Sequence, residues 1–179
     1  MFILHVFFNA KCKERKMFMF KKFLKKQNKV ELVAPLSGRL ILLENVSDPV
    51  FSQKMMGEGI AIIPEDGKIL APIGGTIVQI PASKHAIGLQ TSEGIEILIH
   101  VGLETVALKG QGFQPIVKEG DQVNIGDPLM DVDLDYIKNN ADDIVTPMVI
   151  TNSNNSDKTY DIAEEKACVA GESIVITIT

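Results

Sequence analysis

From Val30 onward the chain is a succession of short apolar runs, each cut off by glycine or proline. Runs at Glu31–Ala34, Gly38–Val46, Gly59–Pro64, Lys68–Ala71 and Thr76–Ile80 are rich in Ile, Leu and Val. Pro35, Gly38, Pro49, Gly57, Gly67, Pro72 and Gly74 punctuate them. Strand-length runs at this rhythm predict an all-β chain folded as an antiparallel sandwich or barrel. A weak repeat agrees: Ala34-Pro35-Leu36-Ser37-Gly38 recurs as Ala71-Pro72-Ile73-Gly74-Gly75, each copy followed by a strand. Pseudo-repeated hairpins are expected. Along Gly94–Val106, Ile95, Ile97, Ile99, Val101 and Leu103 alternate with Glu96, Leu98, His100, Gly102 and Glu104. Period-two alternation marks a half-buried strand, with His100 on the face away from the isoleucines and beside a glycine that leaves room for a large group.

One or two short helices interrupt the strands. Ser47-Asp48-Pro49 reads as a capped helix start leading through Met55 and Met56 and ended by Gly57, because proline suits the first helical position. Those methionines and Phe51 read either as core or as an adaptable surface for several partners. Asp133 caps a second helix running to Asn140. Val145–Thr151 and Ser173–Thr179 are further strands, with a polar loop at Ser153–Lys158.

Thr91-Ser92-Glu93-Gly94 separates two apolar runs and predicts a hairpin. An even loop centred between Ser92 and Glu93 sets His85 directly across from His100, with Cβ atoms roughly 4.5 to 5.5 Å apart. A three-residue loop with Gly94 left-handed would instead send the two histidines to opposite faces. The even loop is the expectation.

Composition adds two constraints. A chain of 179 residues, 45% hydrophobic and 23% charged, suits one globular core. Charge is uneven: residues 1–29 carry nine Lys or Arg against Glu14 alone, a net of +8, which leaves −13 for the rest of a chain totalling −5. An acidic body excludes nucleic acid as its partner and suits a basic protein surface. The organisation expected is therefore a basic segment at 1–29 and a globular domain at 30–179. Met17 and Met19 offer later starts, so residues 1–18 are expected to be an over-extended beginning. From Met19, Phe20, Phe23 and Leu24 stand at helical spacing among lysines. That segment reads either as an amphipathic helix on anionic lipid or as a solvated basic tail. Cys12 and Cys168 provide no disulfide framework, and neither an export signal nor a membrane-spanning run is evident. The chain reads as cytoplasmic.

Two histidines across one hairpin point to chemistry more than a single one does. A catalytic zinc site wants three protein ligands, and neither HExxH nor HxH occurs, so no metal is assigned. A serine nucleophile has no GxSxG to stand on. Phosphoryl transfer fits better. A neutral imidazole whose Nδ1 proton is held by a carbonyl leaves Nε2 free to attack, and a second imidazole can donate a hydrogen bond to the phosphoryl oxygens. No cofactor is needed.

The run G-x-x-(three aliphatics)-H-V-G-L-x-T-V at Gly94–Val106 resembles the signature of enzyme IIA of the glucose family of the phosphoenolpyruvate-dependent sugar phosphotransferase system. The resemblance extends over about residues 30–179 through APLSG, DPVF, KMMGEGIAI, SKHAIGL, LKGQGF and PMVITN. It implies a sandwich, or barrel-sandwich hybrid, that accepts phosphate from the histidine-containing phosphocarrier protein and passes it to a cysteine of enzyme IIB, the partner of the IIC sugar permease. It further implies His100 as the phosphorylated residue and His85 as its hydrogen-bonding partner. Ser83, where the family usually has threonine, would orient His85, and the Gly102 carbonyl would anchor Nδ1 of His100. The implied docking surface is Phe51, Met55, Met56, Leu98 and Val106, with Asp48 and Glu104 supplying acid at the rim. Gly88 and Pro81 fall where some members have phenylalanine, so this rim is less aromatic. With no IIB or IIC domain attached, the chain resembles a free-standing carrier.

Two alternatives share the sandwich architecture. VKEGDQVNIGDPL at 117–129 resembles the turn-strand-turn of biotinyl or lipoyl modules, but MDVDL follows where a hairpin-tip lysine is needed. A zinc-dependent hydrolase lacks its ligands.

Overall fold

The computed structural model describes residues 29–179. The basic segment, its amphipathic stretch and the expected start at Met19 lie outside the described residues, Lys29 excepted. In chain order the strands are β1 (Val30–Val33), β2 (Gly38–Leu42), β3 (Glu58–Pro64), β4 (Lys68–Leu70), β5 (Gly75–Gln79), β6 (Ala86–Gln90), β7 (Glu96–His100), β8 (Phe113–Pro115), β9 (Gln122–Val123), β10 (Pro128–Val132), β11 (Thr146–Ile150), β12 (Tyr160–Ile162), β13 (Ala167–Cys168) and β14 (Ile174–Ile178). Two short helices join them, α1 (Pro49–Ser52) and α2 (Leu134–Asn140). One sheet has the order β13-β2-β3-β11-β7-β6-β5-β9; two three-stranded sheets, β1-β14-β12 and β4-β10-β8, complete the sandwich. All named pairings are antiparallel.

The Ala-Pro repeat is the hinge of this arrangement. Val33 N–H donates to the Pro72 carbonyl (2.9 Å) and Leu70 N–H to the Pro35 carbonyl (2.8 Å), so each corner ties down the other. Each corner alanine also accepts from the glycine of a distant turn, Gly171 to Ala34 and Gly126 to Ala71, both at 2.9 Å. Behind those turns, β13 pairs with β2 and β9 with β5. The repeat thus has a second half in the chain, Gln122–Gly126 and Ala167–Gly171, whose likeness is geometric more than chemical.

Several predicted runs are shorter than expected. The run from Gly38 leaves the sheet after Leu42 and becomes a 3₁₀ turn at Leu43–Asn45. The helix starting at Pro49 ends at Ser52 and continues to Gly57 as turns, since Lys54 is left-handed (φ 54°). Its start is as expected: the Asp48 carboxylate accepts from Val50 N–H at 2.8 Å. Asp133 likewise accepts from Tyr136 N–H (2.9 Å) at the start of α2. The central strand ends at His100, because Gly102 (φ 71°) and Glu104 (φ 57°) both turn left-handed before a 3₁₀ turn at Thr105–Leu108.

Strand alternation divides the apolar residues between two cores. Leu40, Ile60, Ile62, Ile97, Ile99, Met148 and Ile150 point inward to the main core between the sheets. Their neighbours Ile41, Ala61 and Val149 point outward and pack with Leu43, Val46, Phe51, Leu103 and Val145 in a second, smaller cluster. Leu103 was expected to continue the inner stripe. Left-handed Gly102 breaks the alternation and delivers it to the outer cluster instead.

Candidate active site

His100 closes β7 on the outer face of the large sheet. In β6, Ala86 stands directly across from it and Gly88 across from Leu98. Both are small and buried, which leaves room over them for the half-buried His100 ring. The register differs from the one expected. Thr91 N–H bonds the Ile95 carbonyl (3.0 Å) around Ser92-Glu93-Gly94, with Gly94 left-handed at φ 80°, so the loop is odd and pairs Ala86, not His85, with His100. Gly94 supplies the positive φ that the odd loop requires.

His85 reaches His100 by another route. It precedes β6 and follows Lys84, itself left-handed at φ 54°, so sheet alternation does not govern its side chain. The two imidazole centroids are 4.7 Å apart, edge to face at 69°. The His85 carbonyl accepts from Val101 N–H at 2.8 Å, holding the histidine segment against the end of β7.

Each ring has its own anchor. His100 Nδ1 lies 2.9 Å from the Gly102 carbonyl, which can only accept, so Nδ1 carries the proton and Nε2 of the neutral ring keeps its lone pair. Ser83 Oγ is 2.7 Å from His85 Nδ1. Burial pushes the His85 pKa down to about 4, helped by the positive charge His100 would carry. Burial also lowers His100, opposed by the Gly102 carbonyl and by the negative charges of Asp48 and Glu104. Both rings are therefore neutral at pH 7, the state in which imidazole nitrogen is nucleophilic.

Phe51 meets the His100 ring at 5.3 Å and 62°. Only 4% exposed, it packs within the outer cluster, the core reading of the two that the pattern left open. Leu98 and Met56 are half-buried against the same cluster, while Met55 and Val106 stand open at 66% and 56%. Asp48 is half-buried and Glu104 exposed. Thr105, to which no role was given from sequence, is fully buried beneath the site, and only the T of the HVGLxTV run signals it.

Among the described residues no group of three or more His, Cys, Asp or Glu could hold a metal ion. Met130-Asp131-Val132, in the stretch compared with swinging-arm modules, lies inside β10 with partners on both sides and so presents no hairpin tip.

An antiparallel sandwich with paired, neutral, half-buried imidazoles at the outer face of its large sheet suits a group-transfer protein. Comparison with known proteins specifies which. Residues 30–156 match the family model of the phosphoenolpyruvate-dependent sugar phosphotransferase system, EIIA 1. The chain is 44% identical over 165 residues to the PTS system glucose-specific EIIA component of Staphylococcus aureus (strain COL), covering 90% of this chain and 99% of that one. A counterpart from Staphylococcus epidermidis is 45% identical over the same length and coverage. The solved glucose permease IIA from Mycoplasma capricolum superposes with a TM-score of 0.79 at 36% identity, covering 84% of this chain and 97% of that one. The chain belongs to the EIIA 1 family of the sugar phosphotransferase system, and its role is that of a phosphocarrier in sugar uptake.

Proposed function

We propose that His100 is the residue that carries the phosphoryl group. The observation behind this reading is the pair of rings 4.7 Å apart with the His100 Nδ1 proton on the Gly102 carbonyl. The Nε2 lone pair attacks the phosphorus of a donor phosphohistidine, the donor's P–N bond breaks, and its electrons return to the departing imidazole. The charge gained by the His100 ring is shared with the carbonyl through Nδ1–H. If Ser83 donates to His85 Nδ1, then Nε2–H of His85 faces the phosphoryl oxygens and supports their charge in the transition state. Onward transfer to a thiolate reverses the same steps.

The donor on this reading is the histidine-containing phosphocarrier protein and the acceptor is enzyme IIB, working with the IIC permease. Both dock on Met55 and Val106, with half-buried Leu98 and Met56 at the edge, while Asp48 and Glu104 attract basic side chains. Residues 30–179 suffice for transfer in the cytoplasm, with residues 19–29 either contacting anionic lipid or staying solvated as a basic tail. Among the described residues no helix is long and apolar enough to cross a membrane.

Incubation with labelled phosphoenolpyruvate and the two upstream proteins tests the assignment. His100→Ala should take up no label, whereas His85→Gln should be labelled and pass phosphate on poorly. Full labelling of His100→Ala would refute it.

A further inference from the structure

Just beyond His100 the chain must bend sharply without letting the Gly102 carbonyl drift from Nδ1. Four successive residues are pinned or constrained. Val101 N–H is held by the His85 carbonyl, Leu103 N–H donates to the Asp143 carbonyl (2.8 Å), and Gly102 and Glu104 are left-handed. What closes the bend is Thr105. Its side chain is fully buried, and its hydroxyl donates to the Val101 carbonyl at 2.7 Å. Its methyl fills the space on the other side: a Cβ built on Gly102 would lie 2.6 Å from Thr105 Cγ2 and 2.9 Å from the Asp143 carbonyl oxygen. Hydroxyl and methyl therefore act on consecutive peptides, one fixing the carbonyl of Val101 and the other limiting where Gly102 can sit.

We propose that Thr105 is a positioning residue for phosphoryl transfer: its hydroxyl bond to Val101 O holds the Gly102 carbonyl on His100 Nδ1 and so fixes the tautomer that exposes Nε2. The inference rests on His100 being the phosphorylated residue for its kinetic consequence, but the tautomer can be read without phosphate. A buried side-chain hydrogen bond bridging four residues keeps a tight turn in one geometry, and loss of the hydroxyl leaves the Val101 carbonyl unpaired and free to swing. Since the Gly102 carbonyl raises the His100 pKa against the pull of burial, its departure lowers that pKa further.

The test compares Thr105→Val, which keeps the shape and loses the hydroxyl, with Thr105→Ser, which keeps the hydroxyl. Imidazole ¹⁵N shifts of unphosphorylated protein should report the Nδ1–H tautomer of His100 in wild type and Thr105→Ser, and a mixture in Thr105→Val. The rate of phosphate uptake from saturating phosphorylated donor should fall about tenfold in Thr105→Val, roughly what one buried hydrogen bond supplies, with the donor KM unchanged. A wild-type tautomer in Thr105→Val, or equal impairment in Thr105→Ser, overturns the proposal. Should Thr105→Val fail to fold, the wild-type protein decides: a Thr105 hydroxyl proton protected from exchange supports the bond, and a freely exchanging one overturns it. If His100 proves not to carry phosphate, the tautomer result still stands or falls by itself.

Discussion

The inner and outer faces of the large sheet are made from the same strands yet are covered very differently. Inward, Ile60, Ile62, Ile97, Ile99 and Met148 are sealed by the two small sheets, and none is more than 2% exposed. Outward, the cover is a smaller cluster in which Phe51 of α1, with Leu43, Val46, Leu103 and Val145, packs on Ile41, Ala61 and Val149. In β6, Ala86 and Gly88 are small and buried, and the half-buried histidines sit where the cover thins toward exposed Met55 and Val106. A reactive side chain needs both rigid support and access. The edge of a partial cover provides them together, with Phe51 on the supporting side and Met55 on the open one.

If the two faces divide the labour in this way, substitutions should separate stability from transfer. The largest stability effect belongs to the sealed face. Ile99→Ala, adjacent to His100 in the chain but pointing away from it, should cost about 2 to 5 kcal/mol in urea unfolding, while the folded protein still accepts phosphate. A drop in labelling of the folded variant comparable to that of His100→Ala would erase the distinction.

An intermediate effect is expected from pH. His85 titrates near 4 in the folded protein and near 6.5 unfolded, so the unfolded chain binds the extra proton across that window. Stability is full above about pH 6.5 and is lost as pH falls toward about 4. Melting temperatures measured between pH 7 and 4.5 should fall more for wild type than for His85→Gln; parallel curves would show that His85 is not the group responsible. The smallest stability change belongs to the open face. Met55→Ala should shift unfolding by less than about 0.5 kcal/mol, yet raise the KM for protein partners severalfold. An unchanged KM would remove Met55 from the docking surface.

The division between faces was partly legible in sequence. Alternation through Ile95–His100 assigned the inner stripe and placed His100 opposite it, because period two is imposed by strand geometry itself. Loop parity was not legible: Ser92-Glu93-Gly94 closes an odd turn through a positive φ at Gly94, and glycine permits that conformation without demanding it. Nor did any pattern show that Lys84 would turn left-handed and bring His85 to His100 from outside the strand. The meeting of the rings was expected, but for a geometric reason that does not hold. Phe51 stayed open between core and surface in the pattern, since four residues of helix give too little periodicity to tell a buried side from an open one, and only the family resemblance placed it on the docking surface. Thr105 was invisible as anything but a letter in a motif, since its role depends on the Val101 carbonyl, reached only once the chain has turned.

The central claim is that one particular nitrogen receives the phosphoryl group. ³¹P NMR of the carrier phosphorylated by its upstream donor, with acid and base lability followed on the same sample, addresses it directly. The account predicts a single acid-labile, base-stable phosphohistidine signal of the Nε2 type that is absent in His100→Ala. A signal of the Nδ1 type, or one that survives in His100→Ala, would contradict it.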